Sequence, residues 1–179
     1  MRKLFVLLTV VGSFLGACSG SNSNAPNLQT DVYFDIKGFF EEEAHRLSQD
    51  TNLIHKEISR NGGEKESKSL LIKDWLKEFS LFIESDINKP AWTSSYEVSH
   101  EGDAIVYTSN DPELRTKKIR IEKDGETVES IIIHNEVENK LYKSIEELYY
   151  SPDSIYRIEK LQDVRVIGAN HYLITGSFN

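Results

Sequence analysis

Cysteine is nearly absent from this sequence: its 179 residues include one, Cys18. A single cysteine cannot form an internal disulfide, and it rules out a Cys-x-x-Cys metal or redox motif. Basic residues are also scarce, because 21 Lys and Arg face 29 Asp and Glu, which gives a formal net charge of −8 at pH 7. An acidic surface repels phosphate backbones, so we expect no nucleic-acid partner.

Signatures of catalysis are missing as well. The chain has no Gly-x-Ser-x-Gly elbow, no His-Glu-x-x-His pair and no EF-hand loop, and Gly62-Gly63 lacks the Lys-Ser/Thr partner of a phosphate-binding loop. Glu42 and His45 have the helical spacing of carboxylate–histidine metal sites, but the second such pair, Glu97 and His100, falls in a predicted strand. We therefore expect no enzyme, no metal and no cofactor. A glycosidase is left open because 29 acidic residues are present, although nothing in the sequence marks a carboxylate pair.

The N-terminus has the layout of a secretory signal peptide. Arg2 and Lys3 precede an apolar run over residues 4–15, and the small residues Gly16-Ala17 follow it. The run is short for a helix that crosses about 30 Å of hydrocarbon. The sequence thus predicts a signal peptide over residues 1–17.

The stretch Leu15-Gly16-Ala17-Cys18 resembles a bacterial lipobox. The resemblance implies cleavage before Cys18 and lipid on its thiol and new amino group, which explains why the only cysteine stands there; an incidental cysteine after an ordinary signal is the alternative. Residues 18–30, rich in Ser and Asn, are predicted to form a lipidated flexible tether. No acidic residue stands next to Cys18, and the tether has no acidic run of the Bacteroidota export type. The resemblance therefore favours an outer membrane lipoprotein facing the periplasm, with the membrane as its partner.

Two helices are predicted to open the single domain over residues 31–179. Apolar side chains recur every three or four positions over residues 31–59, and Asn61-Gly62-Gly63 would end that helix. A similar pattern predicts a second helix over residues 67–85. The segment 31–86 is therefore predicted to be helical.

After Trp92 the apolar period changes to two, which is typical of strands. Turn signals such as Glu101-Gly102-Asp103, Asp124-Gly125 and Ser151-Pro152-Asp153 divide residues 92–179 into six or seven strands. Turns this short join antiparallel neighbours. The predicted fold is α+β, with two N-terminal helices packed on an antiparallel meander of six or seven strands.

Aromatic residues of this β region are the candidate ligand-binding side chains: Trp92, Tyr96, Tyr142, Tyr149, Tyr150, Tyr156 and Tyr172. Aromatic residues also favour strands for packing alone. The order of elements is similar to that of the lipoprotein-carrier folds of the Gram-negative periplasm, although a tether argues against a shuttle. Two functions stay open: an envelope binding module for an apolar, glycan or peptide ligand, or a structural or accessory subunit of an envelope complex.

These two functions predict different structures. A binding module predicts a cavity lined by the strand aromatics. A subunit with a protein partner predicts an exposed apolar patch, or an open sheet edge at the final strand, where Phe178 and Asn179 end the chain.

A possible modification site lies in a predicted turn. Asp153-Ser154-Ile155 resembles the short O-glycosylation sequon of Bacteroidota, which implies Ser154 as the acceptor. Apart from these resemblances, the residues identify no functional family.

Overall fold

β-Strands make up just over half of the described residues. The computed structural model describes residues 33–178. Its strands are β1 (Ile54–Arg60), β2 (Glu66–Leu70), β3 (Tyr96–Glu101), β4 (Ala104–Ser109), β5 (Thr116–Asp124), β6 (Thr127–Glu138), β7 (Tyr142–Ser151), β8 (Ile155–Val164) and β9 (Gly168–Phe178), and its helices are α1 (Ile36–Ser48), α2 (Trp75–Glu78) and α3 (Ser80–Ile83), with a 3₁₀ turn at Pro90–Trp92. All strands join one antiparallel sheet in the order β2-β1-β9-β8-β7-β6-β5-β4-β3.

The predicted α+β fold, with two long helices on a six- or seven-strand meander, is therefore wrong. The predicted first helix ends at Ser48, and residues 54–60 form β1 instead. Ile54 and Ile58 are four residues apart, a spacing that places both on one face of a strand as well as of a helix. The Asp50 carboxylate accepts the backbone N–H of Asn52 (3.1 Å), a local bond that competes with continued helix.

The β1–β2 turn and the second predicted helix need the same correction. Asn61 and Gly62 adopt φ of 53° and 66°, so the pair forms a hairpin turn rather than a helix cap. Residues 66–70 form the edge strand β2, and helix begins only after Asp74, whose side chain accepts the backbone N–H of Lys77 (3.0 Å). Of the predicted helical segment 31–86, only α1, α2 and α3 are α-helical.

The final strand is interior. β9 lies between β1 and β8, and Ile54 of β1 pairs with Phe178 of β9. The Phe178 ring stacks on Trp75, with centroids 5.8 Å apart. The open edge predicted at the final strand is thus absent from the described sheet, whose two edges are β2 and β3.

The three helices cover one face of the sheet, the inner face. Helix α1 buries Ile36, Phe40, Ala44 and Leu47, whose spacing keeps them on one side of the helix. On the sheet they meet fully buried residues of β5 to β8: Ile119, Ile121, Ile131, Ile133, Leu148, Tyr150 and Tyr156. Phe40 contacts Phe82 at 4.6 Å and Tyr150 at 5.1 Å between ring centroids. Each such buried side chain contributes about 1.5–3 kcal/mol.

The two ends of the strands differ in cover. One end, called here the far end, holds the β3–β4, β5–β6 and β7–β8 turns. There, Arg46 of α1 forms an ion pair with Asp153 (2.9 Å). At the other end, the groove end, the β6–β7 and β8–β9 turns extend past α3, and Ser85 just after α3 accepts a bond from Thr116 at the start of β5 (3.3 Å). The helices therefore leave part of the inner face uncovered at the groove end. No helix within residues 33–178 is long and apolar enough to cross a membrane.

Candidate functional site

A polar groove lies where the inner face emerges beyond α3. Its volume is about 270 Å³, and side chains from α3, β6, β7, β8 and the segment before β5 line it. Register brings its residues together, because Asn135 of β6 lies opposite Glu146 of β7, and Glu146 lies opposite Lys160 of β8. One row further towards the groove end, Ser144 follows on the same face.

A buried carboxylate joins two cations in this groove. Glu146 is 5% exposed and accepts hydrogen bonds from Arg115 Nη2 (2.5 Å) and from Lys160 Nζ (2.9 Å), one on each carboxylate oxygen. Burial acts to raise the pKa of Glu146, but the hydrogen bonds and charges of Lys160 and Arg115 outweigh it, so the pKa lies below its ordinary value. Glu84 and Glu136 also line the groove, so its lining holds three carboxylates and two cations.

Two other buried polar side chains each have one oxygen atom without a hydrogen-bond partner among the described residues. Asn135 is 1% exposed; its Nδ2 donates to Ser85 Oγ (2.8 Å), while its Oδ1 has no hydrogen-bond partner among the described residues. Ser144 is 7% exposed, and its Oγ likewise has none within that part of the chain. Both residues line the groove. Since an unsatisfied buried polar group costs about 1–3 kcal/mol, these two atoms are the candidate ligand contacts of the groove.

Of the seven candidate aromatics, Tyr142 lines the groove, where it is half-buried. Tyr96, Tyr150 and Tyr156 are core residues with bonded hydroxyls. The Tyr96 hydroxyl donates to the Thr116 carbonyl (2.8 Å), that of Tyr150 to Glu43, and that of Tyr156 to Glu78 (2.6 Å).

The remaining three aromatics are dispersed. Trp92 lies beside the edge strand β3 with Lys89 over its ring at 4.1 Å. Tyr149 points away from the helices and contacts Arg157 (5.9 Å), while Tyr172 contacts Arg60 (5.5 Å). The seven therefore do not share one cavity within residues 33–178.

Histidine–carboxylate pairs occur on the opposite, outer face. His134 Nδ1 contacts Glu147, and His171 Nε2 contacts Glu159 at 2.8 Å. No group of three or more His, Cys, Asp or Glu side chains in the described segment is arranged to hold a metal ion.

Of the two predicted modification sites, Ser154 lies within the described residues and Cys18 lies outside them. Ser154 is exposed in the β7–β8 turn, so its O-glycosylation stays a prediction at an accessible site. Cys18, the tether over residues 18–30 and the signal peptide over residues 1–17 lie outside the described residues.

The groove residues Arg115, Asn135, Ser144, Glu146 and Lys160 were not among the sequence-based candidates. A signal for three of them is present in the sequence. Asn135 continues the alternation of Ile131 and Ile133, and Ser144 and Glu146 continue that of Leu148 and Tyr150, so polar residues occupy buried positions.

Comparison with protein-family models, with curated proteins and with solved structures found no match to this chain. This confirms the interpretation that the residues identify no functional family.

Proposed function

We propose that this chain is a lipid-anchored binding module of the cell envelope, and that the groove binds a small hydroxyl-rich ligand, a sugar or one sugar unit of a glycan. The observation that carries the proposal is the pair of unpartnered buried atoms, Asn135 Oδ1 and Ser144 Oγ, beside two cations. No catalysis is proposed.

The chemistry of the groove favours a sugar among the three ligand classes considered. Asn135 Oδ1 needs a donor, whereas Arg115 and Lys160 use one N–H each in their described side-chain hydrogen bonds and keep others for acceptors. A sugar places hydroxyls that both donate and accept a few ångströms apart. An apolar ligand would leave all these groups unsatisfied.

Size and shape point the same way. About 270 Å³ is at the small end of ligand sites, which usually run to about 300–1,000 Å³. The half-buried ring of Tyr142 offers an apolar face for the C–H side of a sugar ring. A lipid chain needs a longer apolar channel.

The binding test compares two identical substitutions. The mature chain is titrated with monosaccharides and disaccharides by saturation-transfer NMR and calorimetry, as wild type, Ser144→Ala and Ser130→Ala. Ser130 is also buried, but its hydroxyl bonds to Glu122 (2.8 Å) outside the groove. Loss of one hydrogen bond predicts affinity about three- to tenfold weaker for Ser144→Ala alone. No binding by any sugar, or equal affinity of the two variants, contradicts the proposal.

Lipid anchoring is tested separately. Cys18→Ala is expected to move the protein from the membrane to the soluble fraction, whereas Ser19→Ala leaves it on the membrane, because several acyl chains on one residue anchor stably. A Cys18→Ala protein that stays with the membrane overturns the lipobox interpretation.

The accessory-subunit function is the second candidate. It loses one expected feature, since β9 is interior and the final strand offers no edge to a partner strand, but it keeps the other, since Leu141, Val166 and Ile167 are exposed apolar side chains. A protein that co-purifies with the chain in stoichiometric amount, with no bound sugar, would favour it.

A further inference from the structure

Two turns at the groove end carry the most exposed large apolar side chains of the described residues. Leu141 in the β6–β7 turn is 72% exposed, and Val166 and Ile167 in the β8–β9 turn are 93% and 77% exposed. The turns adjoin, because the Arg165 N–H donates to the Leu141 carbonyl (3.0 Å). These three residues, with Lys140 and Arg165, are called the turn patch.

The turn patch is basic. Within residues 33–178 no carboxylate forms an ion pair with Lys140 or Arg165, and Glu138 beside them is bound by Lys143 (3.2 Å). The far-end turns are acidic and contain no Lys or Arg: Glu101-Gly102-Asp103, Asp124-Gly125-Glu126 and Pro152-Asp153-Ser154. The groove end thus places the most exposed large apolar side chains of the described residues beside two cations without an ion pair there, a combination that suits an anionic lipid surface.

The chain also enters the domain at the groove end. The hydroxyl of Tyr33, the first described residue, donates to the Thr93 carbonyl (2.8 Å) beside the groove-end start of β3, and its N–H donates to Asn88 (3.0 Å). Fourteen residues, 19–32, separate Tyr33 from Cys18, and this segment can span at most about 50 Å. A lipid at Cys18 thus keeps this end within reach of the membrane.

We propose that the turn patch is a second membrane contact, in which Leu141, Val166 and Ile167 enter the interface of a phospholipid bilayer and Lys140 and Arg165 bind its headgroups. The proposal rests on the lipid anchor proposed above, which supplies the first contact. It adds that the groove end, and not the acidic far end, faces the membrane.

The test labels the two ends of the sheet in turn. Ile167→Cys and, as the matched control, Glu126→Cys are made in the mature lipidated chain and labelled with an environment-sensitive fluorophore. Glu126 lies in the β5–β6 turn at the far end, where its side chain is fully exposed. Each protein is inserted into vesicles of phosphatidylethanolamine and phosphatidylglycerol that carry a nitroxide-labelled lipid. Acylation blocks the Cys18 thiol, so unmutated protein should take up no label. If it does take up label, Cys18 is not acylated, and the lipid anchor proposed above is wrong rather than the turn patch.

We expect severalfold stronger quenching by the nitroxide lipid at position 167 than at position 126, with a blue-shifted emission at position 167 alone. Leu141→Asn in the Ile167→Cys background should weaken the quenching. Equal quenching at the two positions overturns the proposal. Shielding of position 167 from aqueous iodide without quenching by lipid also overturns it, because a second protein copy then covers the turn patch.

Discussion

Replacing Ser144 by alanine should make the protein more stable while it weakens ligand binding. The Ser144 hydroxyl is buried and has no partner in the described residues, so folding removes it from water without a compensating hydrogen bond. Alanine removes the oxygen and leaves a space smaller than a methyl group. A site kept for a ligand is expected to show this opposition between stability and affinity.

The magnitude follows from two opposing effects. Removing an unsatisfied buried hydroxyl gains about 1–3 kcal/mol of stability. The lower β propensity of alanine takes back less than about 1 kcal/mol, which is the full span of the β-propensity scale. We expect the free energy of unfolding to rise by about 1 kcal/mol. In Ser130→Ala, the matched control, a hydrogen bond to the Glu122 carboxylate is lost, so the same substitution should lower it by about 1.5 kcal/mol.

Equilibrium unfolding in urea measures both variants. With a slope of about 2 kcal/mol per molar, the two midpoints should differ by about 1 M in urea. The two variants should share one slope, because neither changes the surface exposed on unfolding. If Ser144→Ala is destabilised as much as Ser130→Ala, the Ser144 hydroxyl has a partner in the ligand-free protein, and the reasoning that places a site at unpartnered atoms fails.

Other substitutions and pH test the packing and charges around the site. In Gly176→Ala the new Cβ would lie 2.0 Å from Cε1 of the buried Tyr156 ring, so the urea midpoint should fall by the equivalent of about 1–3 kcal/mol; an unchanged midpoint means that the ring has other space. The pKa of Glu146 is lowered, so its contribution to stability is full above pH 4.5 and is lost as pH falls through the folded-state pKa. Glu146→Gln should therefore flatten the decline of unfolding free energy below pH 4.5, and a decline as steep as that of the wild type would contradict this. Burial raises the pKa of Tyr156, so stability should fall above about pH 10; Tyr156→Phe should lessen that fall in unfolding measured from pH 9 to 11.

Local signals in the sequence were sufficient for the later strands. Turns at Gly102 and Gly125 need positive φ, which the structure has at 65° and 58°, and the alternation of apolar residues between them defines the inner face. Short turns then require antiparallel neighbours, which β3 to β9 are. These features depend only on residues near one another in the chain.

The N-terminal region could not be predicted in this way. The spacing of Ile54 and Ile58 fits a helix and a strand equally, and only pairing with β9, more than 100 residues later, decides for the strand. The pair Asn61-Gly62 is compatible with both a helix end and a hairpin turn, because both structures use residues with positive φ. Tertiary pairing, not local preference, therefore made residues 54–70 a hairpin.

The groove was missed because polar residues in a buried position have no motif of their own. The inner-face positions of β6 and β7 hold Ile133 and Leu148 under the helices, and then Asn135, Glu146 and Ser144 beyond them. Replacing a buried ionic cluster by apolar side chains of similar volume is often neutral or stabilising, so stability alone does not require these residues. The two unpartnered atoms, Asn135 Oδ1 and Ser144 Oγ, lower the stability of the fold further, and packing does not compensate for this. A fold that bears this cost where the inner face emerges beyond α3 fits the proposed binding site, and the opposite effects expected for Ser144→Ala and Ser130→Ala separate that explanation from simple packing.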